Sequence, residues 1–148
     1  MSTELKEEIK YRELINNVYE ELWSNRNLSI IDETLDPDVK CHETGMEFNS
    51  LEEFKKNVIT FFNAFEETKI TVTNQLVKEN VVVVRFVFEG THKGDFIGIA
   101  PTGRKIKFAG LEVIRFVNDK IVEIWAEFDQ LGLMKQLGME LKPMELAH

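Results

Sequence analysis

Three carboxylates lie close together late in the chain, Glu112, Glu127 and Asp129, each among Phe, Trp, Ile and Val. Strand periodicity decides whether they meet water or an apolar interior. From Lys105 to Phe116, alternation puts Lys105, Lys107 and Arg115 on one face. The other face holds Ile106, Phe108, Gly110, Glu112, Ile114 and Phe116, with Glu112 its one charged member. Asn118-Asp119 suits a two-residue hairpin turn, since both tolerate left-handed backbone. That turn sets Val117 opposite Lys120, Glu112 opposite Trp125, Gly110 opposite Glu127 and Phe108 opposite Asp129. Glu112, Trp125, Glu127 and Asp129 then share the face of Phe108 and Ile114. One bulge or slip would reverse part of this assignment. A carboxyl crowded into such surroundings is desolvated and repelled by its neighbours, so its pKa rises. It would then deprotonate carbon beside a carbonyl, or protonate the oxygen as charge develops. The competing place for Glu127 is the solvated sheet rim, and for Asp129 the N-cap of a closing helix.

The elements that must position these groups follow from period. Tyr11, Leu14, Ile15, Val18 and Leu22 form one helical stripe, interrupted at 25–27. Asn27 caps a short second helix with Leu28, Ile31 and Leu35 inward, which Pro37 stops; 39–42 is extended. Ser50 and Glu53 form a capping box for a third helix, whose apolar stripe is Leu51, Phe54, Val58, Phe61, Phe62 and Phe65. The period then turns to alternation over 69–78, 81–92, 105–116 and 120–128, and a short helix over 129–137 ends at Gly138. In 81–92, Phe86, Phe88 and His92 oppose Arg85 and Glu89. Helices first and a strand meander second predict one α+β domain over 1–148 with an antiparallel sheet. The expected outer face of the last hairpin pairs Leu111 with Ala126, Val113 with Ile124, and Ala109 with Phe128. A homodimer through that outer sheet face is the expectation, with helix coverage inside one chain as the alternative.

Composition narrows the function. The 148 residues carry 18 Lys plus Arg against 26 Asp plus Glu, a formal charge of −8, without a basic cluster to displace phosphate counterions. Nucleic acid and anionic membrane surfaces are disfavoured as partners. The single cysteine, Cys41, excludes an intrachain disulfide and gives no hint of a thiolate metal site. With no secretory core segment and no apolar run of membrane length, a cytoplasmic location is expected.

The run Gly90-Thr91-His92-Lys93-Gly94-Asp95-Phe96-Ile97-Gly98-Ile99-Ala100-Pro101-Thr102-Gly103-Arg104 resembles the G-T-H-x-G-x-F-x-G-I-x-P-T-G-R segment of the SnoaL-like polyketide cyclases. Gly110-Leu111-Glu112, Arg115, Asp119 to Glu123, Trp125, Asp129 to Leu133 and Gln136 to Gly138 are similar too, as are Val18 to Trp23 and His42. The resemblance covers nearly the whole chain. It implies a cone, related to nuclear transport factor 2, in which a curved antiparallel sheet wraps around helices and a hydrophobic pocket opens at the mouth. It also implies intramolecular aldol chemistry without metal or organic cofactor. Asp129 matches the family's acid/base aspartate, and His42 and His92 match histidines near the pocket. Trp125, Phe86, Phe108 and Tyr19 would hold substrate, with Glu112 and Glu127 tuning the acid. Glu123-Ile124-Trp125 departs from the family's frequent Glu-His-Trp, and parity places Ile124 outward. Beside a cyclase or isomerase acting on an apolar carbonyl compound stand a non-catalytic ligand-binding protein, a dimeric interaction module and an epoxide-hydrating variant.

Overall fold

The first helical stripe becomes α1 (Thr3–Tyr19), which buries Tyr11, Ile15, Val18 and Tyr19. In the computed structural model, which describes residues 2–145, α1 runs on through a wider π-helical turn, Glu20–Ser24. The Asn25 N–H donates to the Glu20 carbonyl at 2.9 Å, a five-residue step. Such turns often mark functional sites, and this one carries Trp23.

Helix α2 (Ser29–Thr34) stops before Leu35, one residue earlier than the apolar spacing predicts. Asp36 precedes Pro37, whose ring drives the residue before it into extended backbone. Leu35 therefore opens strand β1 (Leu35–Glu43) and is buried there. A short strand, β2 (Met46–Phe48), folds back on β1. Ser50 caps α3 (Leu51–Ala64) by accepting the Glu53 N–H at 3.2 Å. Phe65, the last residue of the expected helical stripe, instead begins β3 (Phe65–Lys78). Arg26 explains the abrupt end of α3. Its guanidinium donates to the carbonyls of Phe62 at 2.6 Å and Phe65 at 2.9 Å, and it stacks on the Phe62 ring.

Strands β4 (Val81–His92), β5 (Lys105–Val117) and β6 (Lys120–Phe128) follow, then α4 (Gln130–Gln136). The sheet is curved and open, in the order β2-β1-β6-β5-β4-β3. It is mixed rather than wholly antiparallel, because β1 pairs with β6 in parallel. A parallel pair needs a long crossover, and the chain between β1 and β6 supplies one. The core lies between the concave sheet face and the helices, with Ile15, Leu22, Ile31, Val58 and Phe65 fully buried.

The β5–β6 register corrects the expected facing. Val117 pairs with Lys120 as predicted, but the register shifts between Arg115 and Phe116, which pair with Glu123 and Ile121. The extra residue, Val122, reverses parity beyond it. Glu112 therefore pairs with Ala126 rather than Trp125, and Gly110 with Phe128 rather than Glu127. Ile124 and Ala126 face the core, while Trp125, 40% accessible, and Glu127 turn outward. The outer face of the hairpin accordingly carries Leu111, Val113 and Trp125.

Candidate active site

A cavity opens between α3 and the concave sheet face, with about 70 Å³ accessible to the centres of water molecules. Its walls are mainly aromatic: Trp23 from the π-helical turn, Phe61 from α3, Phe86 and Phe88 from β4, Phe108 from β5 and Phe128 from β6. Trp23 meets Phe62 and Phe88 edge-on, with centroids 5.7 and 5.9 Å apart, and Phe108 stacks on Phe88 at 5.1 Å.

The polar groups in this wall are few. Glu112, at the level of β5 where alternation turns it inward, accepts a hydrogen bond from the Tyr19 hydroxyl of α1. Burial pushes its carboxyl up to about 7. The Tyr19 bond opposes that shift, and the charge of Glu43 adds to it. The Tyr19 hydroxyl is itself raised well above its ordinary value, first by burial and then by Glu112, so it remains a donor. Glu43, on β1, lines the same cavity and accepts from Asn57 Nδ2 at 2.9 Å. Burial raises its carboxyl also, against the Asn57 bond. The Cys41 thiol is raised mainly by burial and stays protonated. An acid that is half ionised near neutrality, in an apolar enclosure beside a fixed hydroxyl, is equipped to exchange protons with a bound carbonyl compound.

A family model, SnoaL-like polyketide cyclase, matches residues 13–137. The chain belongs to this family. It is 33% identical over 97 residues to the aklanonic acid methyl ester cyclase AcmA of Streptomyces galilaeus, spanning 63% of this chain and 67% of AcmA. Among solved structures, AclR of Streptomyces galilaeus, a proposed hydroxylase, is 27% identical with a TM-score of 0.81, covering 88% of this chain and 97% of AclR. A protein of Jannaschia sp. CCS1 assigned to the SnoaL-like cyclases shares the fold, with a TM-score of 0.84 at 19% identity over 95% of this chain and 98% of its own.

Placing the residues that the sequence singled out divides them. Phe86, Phe108 and Glu112 line the cavity, Tyr19 stands behind Glu112, and Glu127 contributes to the rim with an exposed side chain. Asp129 lies outside. Its carboxylate accepts the Gly132 N–H at 2.9 Å as the N-cap of α4, and it is exposed. His42 faces the outer side of the sheet. Its Nδ1 meets Glu47 at 2.5 Å, its Nε2 meets Glu123 at 2.8 Å, and its ring stacks on Trp125 at 5.4 Å. Glu123 raises the His42 pKa most, while His42 and Arg115 together lower that of Glu123. His92 is fully buried at the end of β4, where its Nδ1 accepts the Thr102 N–H at 3.1 Å and braces the loop over 93–104. The cavity thus gathers Glu112, Tyr19, Phe86 and Phe108, and leaves Asp129, His42, His92 and Trp125 elsewhere.

Glu43, Asn57 and Trp23 escaped the sequence reading of the site. The signal for Glu43 was present, because Val39 and Cys41 are both buried and Glu43 continues their alternating row. Asn57 sits on a helix whose Phe stripe dominates the pattern. No grouping of three His, Cys, Asp or Glu able to hold a metal occurs among the described residues.

Proposed function

We propose that this cavity is the active site of a cyclase- or isomerase-type enzyme that works by cofactor-independent acid/base chemistry on a small apolar carbonyl compound. The carrying observation is Glu112, a carboxyl pushed up to about 7 by burial, facing an aromatic cavity and held by Tyr19. In its neutral form Glu112 gives its proton to the carbonyl oxygen as negative charge develops there, and the Tyr19 hydroxyl stabilises the carboxylate left behind. The aromatic walls hold the carbon skeleton and exclude water, which strengthens both effects. Ile124 faces inward where the family often carries His, so proton movement falls to carboxyls rather than to an imidazole at that level. AcmA, a cyclase of aklanonic acid methyl ester, supports an ester or ketone as the substrate class. Leu111 and Trp125 on the outer sheet face, 51% and 40% accessible, support a homodimer through β5 and β6. A monomer mass in solution at micromolar concentration would remove the homodimer.

The test uses phenylacetone in heavy water; its hydrogens beside the carbonyl exchange slowly in buffer alone and faster where a base removes them while the oxygen is stabilised. The wild-type protein is expected to accelerate that exchange. Glu112→Gln, which preserves size, is expected to slow it by about 100-fold or more, with phenylacetone affinity and the thermal midpoint near pH 5 retained. Binding without exchange in the wild type, or an unchanged rate in the variant, contradicts the proposal.

A further inference from the structure

Three adjacent strands present one cavity-lining residue each at a common level. Glu43 of β1 pairs with Ala126 of β6, and Ala126 pairs with Glu112 of β5. Neighbouring strands lie about 4.8 Å apart, so the two glutamate backbones stand about 10 Å from each other. All three residues line the cavity, and only a methyl group rises between the two carboxyl-bearing side chains. The result is a slot floored by Ala126 and walled by carboxyls, each fixed by its own partner: Glu112 by Tyr19, Glu43 by Asn57.

We propose that Glu43 is a catalytic residue, the general base that removes the proton from carbon beside the substrate carbonyl while Glu112 serves the oxygen from the opposite wall. This assignment rests on the reading of Glu112 as the acid. The groups facing Glu43 are the Cys41 thiol from its own strand, Asn57 from α3, Glu112 from β5 and, at the rim, Glu127 from β6. None is a cation. Each carboxylate accepts one hydrogen bond that favours its charged form, from Asn57 or from Tyr19. Glu112, however, is desolvated further and feels the charge of Glu43, so it holds its proton to higher pH. As pH rises, Glu43 is the first of the pair to ionise.

The protons balance. The Glu43 carboxylate takes the carbon-bound proton as that bonding pair moves into the new C=C bond. The carbonyl oxygen takes the proton of Glu112. In a cyclisation, the enol carbon then bonds to a second carbonyl carbon of the same molecule, and that oxygen takes the proton now on Glu43. The enol hydroxyl returns its proton to Glu112 as its C=O re-forms. Both carboxyls end as they began, and no further reactant is consumed.

Glu43→Gln keeps the Asn57 contact and removes the base. Deuterium exchange into phenylacetone is expected to fall by about 100-fold or more with binding of phenylacetone unchanged. The titration midpoint of Glu112 is expected to fall in the same variant, because a neighbouring negative charge is lost. Exchange within about threefold of wild type in Glu43→Gln, with Glu112→Gln still slow, overturns the role of Glu43 and leaves that of Glu112 standing. Unchanged exchange in Glu112→Gln overturns the underlying reading instead. Should Glu43→Gln not fold, Glu43→Asp carries the test. Withdrawing the carboxyl by one methylene is expected to cost about tenfold or more, and an unchanged rate overturns the proposal.

Discussion

Glu112 carries a conflict between burial and charge, and its consequences are visible in stability as well as in chemistry. The native carboxyl holds its proton up to about pH 7, against 4.5 when solvated. The folded state therefore binds the proton more tightly than the unfolded chain does. Its contribution is fully present below about pH 4.5 and is lost as pH rises through about 7, a change of about 3 kcal/mol. Thermal midpoints measured between pH 5 and 8 are expected to fall more steeply for the wild type than for Glu112→Gln, whose amide does not titrate. The raised pKa values of Glu43 and His42 act in the same direction in both proteins, so the difference between the two curves reports the Glu112 proton together with its coupling to Glu43. Parallel curves would contradict a buried acid at this position. Asp129 differs because a helix start competes for it. Its carboxylate is committed to the Gly132 N–H, and a side chain on residue 132 would strike it at 2.2 Å.

At the scale of elements, one inserted residue in β6 decides which side chains meet the cavity. The bulge at Val122 exchanges Trp125 and Glu127 for Ala126 and Phe128 on the inner face. Gly110 is the companion feature in β5. A Cβ there would lie 2.4 Å from the Phe86 ring and 2.9 Å from the Glu127 carbonyl. Gly110→Ala is expected to displace Phe86 from the cavity wall and to destabilise by about 1–3 kcal/mol, read as a lowered denaturant midpoint at unchanged slope. An unaltered midpoint would mean that the wall is looser than its contacts indicate. These features also mark how far the sequence could be read. Alternation in β5 correctly put Glu112 on an apolar row, and the capping box located α3, since both signals are local. The bulge was not legible, because Val122 suits either face and only the pairing with β1 and β5 selects the kinked register. Glu43 was overlooked for a related reason, as Pro37 lies within β1 and leaves only a short alternating stretch after it. Val39 and Cys41 mark its inward row, and the docking of β1 beside β6 brings that row to the cavity.

Across the molecule, the helical half closes the concave face that the strand half provides, and the meeting surface is where acids and aromatics converge. α1 delivers Tyr19, the π-helical turn delivers Trp23 and α3 delivers Asn57 and Phe61 against a sheet bearing Glu43 and Glu112. The order of helices and strands and the motif over 90–104 carried that architecture in the sequence. The crossover that makes β1 parallel to β6 did not show in any local pattern. The account depends most directly on the protonation of one group in this meeting surface, which NMR observes through the side-chain carboxyl carbon of Glu112 across a pH titration. A midpoint near 7 is the expected result, whereas a midpoint at the ordinary glutamate value of about 4.3 would place Glu112 in water and contradict an active site built around it.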